Sequence, residues 1–497
     1  MKRIAILSVL LILPLLCAGQ SVKLQKNGNT TQLYLHGEPF IMLAGELANS
    51  SASSGEYMDS RNSWEYLRDC GLNTVLAPVY WELIEPEEGR FDFSSVDYLI
   101  DSARKNDLHL VLLWFGTWKN SMSCYVPSWV KKGFGKRFTL AKTTDGHTQE
   151  IISALDGNAL KADCKAFASL MRHLKDRDAS TGTVLMVQVE NEIGMLGTAR
   201  EGGSQVDRLF RKEGSDDSLS SQERFQGKLY ARYAGAVAAA GKAEYDIPMY
   251  VNVALNSRGR KPGEYPSAGP LSHLMDIWKS EAPAIDLLSP DIYDDGFADW
   301  IAQYSKENNQ LFIPEIRREK ANAARVFYVL GRHAAIGFSP FSIDDGAQDT
   351  APSYHLLEKF LPLIAQKQAQ GKAYGVLVDK DSPESVVTIN DVTFTCRHDG
   401  TISWSPAYGD KENWNEGAFL ILDMGDDTYL FLGTACVATM KPSDGKGHIG
   451  IMSIDEVSDS SLERVRRLNG DEDHQGRHLR ISYGDVGAQL LKVYRYE

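Results

Sequence analysis

Two glutamates close apolar runs in this chain. TVLMVQVE leads straight into Asn191-Glu192-Ile193-Gly194, and QLFIP leads straight into Glu315. An apolar run that ends in a carboxyl group sets an ionisable side chain where buried backbone meets solvent. Burial there raises its pKa, and a second carboxylate nearby raises it further. Such a pair can do glycoside chemistry. One carboxylic acid protonates the leaving oxygen, the other attacks the anomeric carbon, and the first then activates water. That retaining route needs the two groups roughly 5–5.5 Å apart. The alternative for either glutamate is a plain ion pair with a Lys or Arg at a rim.

The pair must be brought together by the elements around it. From Pro39 to about Ser353 the chain repeats a short apolar run, a polar loop and a helical pattern. The runs are FIMLAGE (40–46), NTVLAPVYW (73–81), LHLVLLWFG (108–116), TVLMVQVENE (183–192), IPMYVNVALN (247–256), IDLLSPDIY (285–293), QLFIPE (310–315) and GFSPFS (337–342). They are continuous rather than alternating, as parallel strands buried on both faces require. Between them, Leu160, Cys164, Phe167, Met171 and Leu174 share one helical face, and Val96, Leu99, Ile100 and Ala103 share another. Eight strands, each followed by a helix, predict an α/β fold of the (β/α)8 TIM-barrel type, with its site at the C-terminal strand ends. An open doubly wound sheet lacks its usual mark, since no GxGxxG opens a first helix.

The organisation predicted is a leader at 1–19, the barrel domain at 20–371 and a smaller all-β sandwich at 372–497. The barrel domain begins with a hairpin turning at Asn27-Gly28-Asn29. After 372 short strands follow one another with turn signals such as Gly425-Asp426-Asp427 and no long helical pattern. A helix-like stretch around 356–370 joins the two domains. The segment 197–225, rich in Gly, Ser and charge, reads as a long loop over the barrel mouth, either a lid or a mobile insertion.

Composition narrows the function. The chain has 497 residues, 53 Lys plus Arg against 66 Asp plus Glu, and a net charge of −13. That balance does not invite a phosphate backbone, so no nucleic-acid partner is expected. Lys2 and Arg3 before an apolar run from Ile4 to Leu16, then Ala18 and Gly19, form a Sec signal pattern, which implies a periplasmic or secreted protein. Lipid anchoring at Cys17 is disfavoured by Leu16, which stands where a small residue is wanted. No later stretch is long and apolar enough for a membrane span. Cys70, Cys124, Cys164, Cys396 and Cys436 remain, an odd number with no CxxC, which argues against a disulfide framework or a structural zinc. His474 and His478 in DEDHQGRH read as a solvated hairpin loop rather than a metal site. No GxSxG elbow and no Walker A loop is present.

VQVENEIG at 187–194 resembles the acid/base motif of glycoside hydrolase family 35, a β-galactosidase family of clan A. The likeness extends through GLNTVLAPVYWELIEPEEGRFDF (71–93), LWFGTWKNSMSCYVPSW (113–129) and LFIPE (311–315). The β domain is similar to the one attached to a bacterial subgroup of that family. The resemblance implies a retaining enzyme with Glu192 as general acid/base, Glu315 as nucleophile and Asn191 on the sugar 2-hydroxyl. Glu190 would be structural. No cofactor or metal is implied, because protons and one covalent ester suffice.

This sequence departs from the family at two places. Gly116-Thr117-Trp118-Lys119-Asn120 replaces a Gly-Pro-Tyr segment with a downstream Glu, so sugar contacts would pass to Lys119 and Asn120. Gly45-Glu46-Leu47-Ala48-Asn49 stands where the family has His-Tyr, which makes Glu46 a rim candidate. Tyr293 could hydrogen-bond Glu315, Phe341 could wall the pocket, and Asn252 and Asn256 are polar candidates on strand five. Among Trp81, Trp114, Trp118 and Trp129, Trp118 leads as a sugar-stacking platform. The expected activity is exo-removal of terminal β-galactose from oligo- or polysaccharide, with xyloglucan side chains as a target implied by the resemblance. Another clan A β-glycosidase, of glucoside or mannan type, and a non-catalytic glycan-binding protein are the alternatives. Oligomeric state is not written in the sequence.

Overall fold

The computed structural model describes residues 21–214, 216–306, 308–468 and 477–497. The leader predicted at 1–19, Cys17 and His474 lie outside the described residues. Eight parallel strands form a closed barrel: β1 (Met42–Glu46), β2 (Thr74–Tyr80), β3 (His109–Phe115), β4 (Val184–Val189), β5 (Met249–Ala254), β6 (Leu287–Ile292), β7 (Ile313–Ile316) and β8 (Gly337–Pro340). Each falls on one of the eight apolar runs, β7 reaching one residue past its run. Each pairs with its neighbours in sequence, and β8 pairs with β1 to close the ring. Every residue of β2, and of β4, is buried, which is why these strands read as continuous rather than alternating.

A helix follows each strand. Val96, Leu99, Ile100 and Ala103 are the buried residues of the helix Ser94–Lys105, the face their spacing predicts. The helix Gly157–Asp178 is rotated slightly from expectation. Its buried face holds the expected Phe167, Met171 and Leu174 together with Ala159, Asp163, Ala166 and Leu170, while Leu160 and Cys164 lie at the margin. Asp163 explains the rotation: its carboxylate accepts the Trp114 indole N–H at 2.9 Å and the Thr117 hydroxyl at 2.7 Å. The same helix starts on Asp156, whose side chain accepts the Ala159 N–H at 2.7 Å, a cap worth about 1 kcal/mol.

The segment 197–225 is not the long loop its composition suggests. It contains the helix Ser204–Lys212 and the start of the helix Leu219–Glu244. Val206, Phe210, Phe225 and Leu229 pack together with Ala154 and Leu155 into a small core of their own. Glu201 braces that core, accepting the Ala154 N–H at 2.9 Å and the Gln226 amide at 3.0 Å. Four apolar residues, spaced too widely to show as a run, outweigh the Gly and Ser content.

At the N-terminus Val22–Asn27 and Thr30–Leu35 form the expected hairpin, joined by a third strand, Glu38–Phe40. At the other end, the helices Ala351–Glu358 and Leu361–Ala369 lead into eight antiparallel strands that begin at Ala373. They include β9 (Ala373–Val378), β10 (Glu384–Ile389), β11 (Val392–His398), β12 (Gly417–Gly425), β13 (Thr428–Pro442), β14 (His448–Val457), β15 (Arg464–Leu468) and β16 (Leu479–Tyr496). The long strands β13 and β16 carry bulges and pair with several others, so one hydrogen-bonded sheet encloses a core in the manner of a sandwich.

Strand β12 shows how this domain is fused to the barrel. Ala418, Leu420 and Leu422 face the barrel core, while Phe419 and Ile421 face the second core with Phe394 and Phe431. Against the same face lies the helix Asn322–Arg332. A side chain at Gly331 would stand 2.3 Å from the Tyr374 carbonyl oxygen, so glycine is what lets helix and strand approach. Arg325 from that helix donates to both oxygens of Glu416, at 2.9 and 2.6 Å. Cys70, Cys124, Cys164, Cys396 and Cys436 are free thiols. No helix among the described residues is long and apolar enough to cross a membrane.

Candidate active site

The mouth of the barrel collects four carboxyl groups and one ammonium. Glu46 ends β1, Asp291 lies in β6, Glu315 lies in β7, and Glu192 follows β4. Lys119 comes from the loop after β3. Oxygens of Glu192, Asp291 and Glu315 all lie within 4.8 Å of one another. Asp291 and Glu315 are register partners on adjacent parallel strands, so their side chains share the barrel interior. Glu46 and Asp291 are buried, Glu315 is 7% exposed, and Glu192 is partly exposed at the opening.

The turn that presents Glu192 is strained. Glu190 has φ +60° and Glu192 has φ +42°, left-handed conformations that non-glycine residues adopt rarely. Hydrogen bonds hold both. The Glu190 carboxylate accepts the Trp118 N–H at 2.8 Å, and the Glu192 N–H donates to Asn252 Oδ1 at 3.0 Å. Asn191, between them, receives the Gln188 amide at 2.7 Å and the Asn252 amide at 3.0 Å, and donates to the Lys119 carbonyl at 2.7 Å. One of its two amide hydrogens is left for a ligand. Asn252 also donates to Asp291 Oδ2 at 2.8 Å. Behind this turn Gly116 comes so close that a side chain there would meet Glu190 Oε1 at 3.0 Å and the Trp114 indole nitrogen at 2.4 Å.

Crowding sets the protonation of the group. Burial, then the Glu192 charge, raise the Glu315 pKa to about 7 from its ordinary 4.5, while the Tyr293 hydroxyl and Lys119 pull it down. Tyr293 donates its hydroxyl proton to Glu315 Oε1. Burial raises Glu192, opposed by Lys119 and by a hydrogen bond with Asp291. Glu46 is pushed well up by burial and then by the Glu315 charge. Burial and the Glu315, Glu192 and Glu46 charges do the same to Asp291. Four carboxyl groups around a single ammonium cannot all ionise, so the cluster keeps protons where isolated acids would lose them. A hard cation could also bridge oxygens this close; Lys119 already supplies positive charge to all four.

The remaining expected site residues divide. Lys119 is buried, with its Nζ 4.9 Å from the Phe115 ring centroid, and acts on every carboxyl of the cluster. Phe341 is partly exposed at the rim, hydrogen-bonded through its N–H to Ile316 and edge-on to Tyr293 at 6.5 Å. Asn120 spends its side-chain carbonyl on its own turn, accepting from Met122 N–H at 2.9 Å and from the Ser123 hydroxyl at 3.1 Å. Trp118 is a correction. It is fully buried, edge-on to Tyr230 and Tyr233, and shows no face to a sugar. Its contribution is its backbone, which holds Glu190 and Asn191 in place. Trp81 and Trp114 are equally buried.

Asp291 and Tyr250 were not singled out from the sequence. Tyr250 is fully buried in β5, its hydroxyl without a partner and subject to the Glu46, Asp291 and Glu315 charges. Asp291 could have been found: it is a carboxylate inside an apolar strand, two residues before the rim tyrosine and so on the same face. A cleft of about 480 Å³ opens beside the mouth, lined by Tyr293, Arg317 and Asp295 from the barrel and by Asp381, Ser382 and Glu416 from the β domain. A wider cavity, about 810 Å³, lies at the N-terminal end of the barrel, away from the carboxyl cluster, and is lined by Lys26, Asn309 and Arg332 among others.

Comparison with known proteins agrees on the class. Residues 56–213 match the model of glycoside hydrolase family 42, described as "Beta-galactosidase", and residues 350–480 match a "Domain of unknown function (DUF5597)". The family named is thus 42, of clan A, rather than the family 35 suggested by the motifs. The chain is similar to a "Beta-galactosidase" of Xanthomonas manihotis, 26% identical over 198 residues, covering 38% of this chain and 30% of that protein. It is also similar to "Beta-galactosidase-1-like protein 3" of Rattus norvegicus, 27% identical over 231 residues, covering 44% and 34%. The chain thus spans about a third of the length of these curated relatives. Among solved structures, the catalytic domain of beta-amylase from Paenibacillus polymyxa superposes with a TM-score of 0.50 at 11% identity, over 65% of this chain and 98% of that one, a likeness of fold.

Proposed function

We propose that this protein is an exported retaining exo-glycoside hydrolase that removes terminal β-galactose from oligo- or polysaccharide. The observation that carries the reading is the approach of Glu192 and Glu315 to within 4.8 Å at the open end of a closed barrel. That distance suits a double displacement and is too short to seat the water of an inverting mechanism, which needs roughly 6.5–9.5 Å. The leader pattern at 1–19 supports export. The β-galactosidase match over 56–213 supports the sugar.

Glu315 attacks the anomeric carbon while Glu192 gives its proton to the departing oxygen. Glu192, now a carboxylate, then takes a proton from the water that releases the sugar from Glu315. The Tyr293 hydroxyl and Lys119 favour the ionised form of Glu315. The free amide hydrogen of Asn191 binds the 2-hydroxyl, while Glu46 and Lys119 take other hydroxyls and Phe341 walls the rim. The cleft between Tyr293 and the β domain gives room for the rest of a branched chain such as xyloglucan. The departure at 116–120 favours one second reading, another clan A β-glycosidase, since Lys119 stands where sugar contacts are altered.

The test is a panel of aryl β-galactoside, β-glucoside and β-mannoside substrates with the wild type and with Glu315→Gln. Galactoside turnover that the substitution abolishes supports the reading. Turnover of another glycoside alone replaces the sugar, and full activity of Glu315→Gln overturns the mechanism.

A further inference from the structure

Asp291 has no part in a two-carboxylate mechanism, yet it occupies the centre of the site. It is 1% exposed. Its Oδ2 accepts the Asn252 amide at 2.8 Å, and that same Asn252 accepts the Glu192 backbone N–H at 3.0 Å. One side chain thus fixes both Glu192 and Asp291. The other oxygen, Oδ1, is buried with no N–H or O–H donor in reach. One oxygen of the Asp291 carboxyl lies within 4.8 Å of an oxygen of Glu192 and of one of Glu315. Three buried carboxyl groups gathered this closely cannot all be ionised, so the group keeps a proton.

Resting on the acid/base and nucleophile roles given above, we propose that Asp291 is a positioning residue for Glu192: it keeps a proton and donates it as a hydrogen bond to Glu192 whenever Glu192 is a carboxylate. In the first displacement Glu192 loses its proton to the leaving oxygen, and the Asp291 carboxylic acid stabilises the carboxylate left behind. In the second, Glu192 takes a proton from the attacking water. Asp291 holds its own proton throughout, so the balance of the reaction is unchanged.

The surroundings favour the neutral form of Asp291. The groups facing it are Glu46 from β1, Lys119 from the loop after β3, Glu192 after β4, Tyr250 from β5, Glu315 from β7, and Tyr293 and Tyr304 on either side of the β6 loop. Only Lys119 is cationic. Burial and the three other carboxylates push Asp291 up, and Lys119 alone opposes them. The hydrogen bond from Asp291 also pulls Glu192 down.

The experiment compares wild type, Asp291→Val and Asp291→Asn on an aryl glycoside that the wild type hydrolyses, with kcat and KM measured across pH. Valine removes the donor, so Glu192 keeps its proton to higher pH. The basic limb is expected to move up by about half a pH unit or more and kcat to fall about tenfold, with KM little changed. Asparagine accepts from Asn252 and donates to Glu192, so it is expected to restore the limb and most of kcat. A protonated-carboxyl band at neutral pH in the infrared difference spectrum of wild type minus Asp291→Asn, over and above the bands the other acids of the cluster leave in both proteins, is the readout that does not depend on the valine variant folding. An unmoved limb in Asp291→Val, an asparagine variant as damaged as the valine one, or no such band overturns the proposal alone. A wild type inert toward every aryl glycoside overturns the underlying mechanism and the proposal with it.

Discussion

Replacing Glu315 by Gln should make the protein more stable, and more so as pH rises. In the folded chain burial and the Glu192 charge hold the Glu315 pKa at about 7, against an ordinary 4.5. A carboxyl group whose pKa is raised by folding adds most to stability below its unfolded pKa. It costs stability as pH rises through the interval from 4.5 to about 7, because the unfolded chain ionises freely and the folded one does not. The cost levels off above that interval. At 1.36 kcal/mol per pH unit it reaches about 3 kcal/mol at pH 8, against about 1 kcal/mol at pH 5. Glutamine keeps the shape and can still accept the Tyr293 hydroxyl, but carries no charge. The cost of altering the side chain's own contacts is independent of pH, so the quantity to read is the change in the difference between variant and wild type, about 2–3 kcal/mol. Over a barrel of about 330 residues, with an unfolding entropy of about 0.7 kcal/mol/K, that is a relative gain in Tm of roughly 3–4 °C between pH 5 and pH 8. Thermal unfolding of both proteins at the two pH values measures it. A difference in Tm that stays constant, or shrinks toward pH 8, would refute the picture of a charge held against burial.

Other expectations test neighbouring groups. Tyr293→Phe removes the hydroxyl donor that favours ionised Glu315, so the acid limb of kcat/KM should move to higher pH; a limb that stays put or moves down would show that the hydrogen bond does not act on the nucleophile. Glu192→Gln removes the proton donor, and kcat should fall about 10²–10⁴-fold for a poor leaving group but far less for an acidic nitrophenol that leaves unaided. An equal loss for both leaving groups would deny Glu192 that role. In the β domain, Arg480 donates to both oxygens of the fully buried Asp399, at 2.5 and 3.2 Å, so Arg480→Met strands a charge and should cost about 3–5 kcal/mol in denaturant unfolding. A loss under 1 kcal/mol would mean that the Ser405 hydroxyl and the Tyr483 N–H suffice.

The barrel could be read from the sequence because its strands are buried on both faces. Continuous apolar runs such as LHLVLLWF have no other comfortable place, and all eight runs contain a strand. Glu192 and Glu315 were legible for a related reason: each interrupts an apolar run at the end where such barrels open. Asp291 was hidden by the same logic, since it sits inside its run, and only the register of β6 against β7 places it beside Glu315. Trp118 misled because residue type says nothing of which way a ring turns; Tyr230 and Tyr233, more than a hundred residues away, enclose it. The helix Ser204–Lys212 was masked by glycine, serine and charge, although Val206 and Phe210 stand one helical turn apart. The double-faced strand β12 shows alternation only once two different cores are known to flank it.

Oxygens of Glu192 and Glu315 lie within 4.8 Å of each other, and the retaining mechanism proposed for them would leave a stereochemical signature. Proton NMR of an aryl β-galactoside hydrolysis, recorded before the product mutarotates, reads it directly. Galactose released first as the β-anomer is the result expected of a nucleophile and an acid/base this close together; galactose released first as the α-anomer would contradict it.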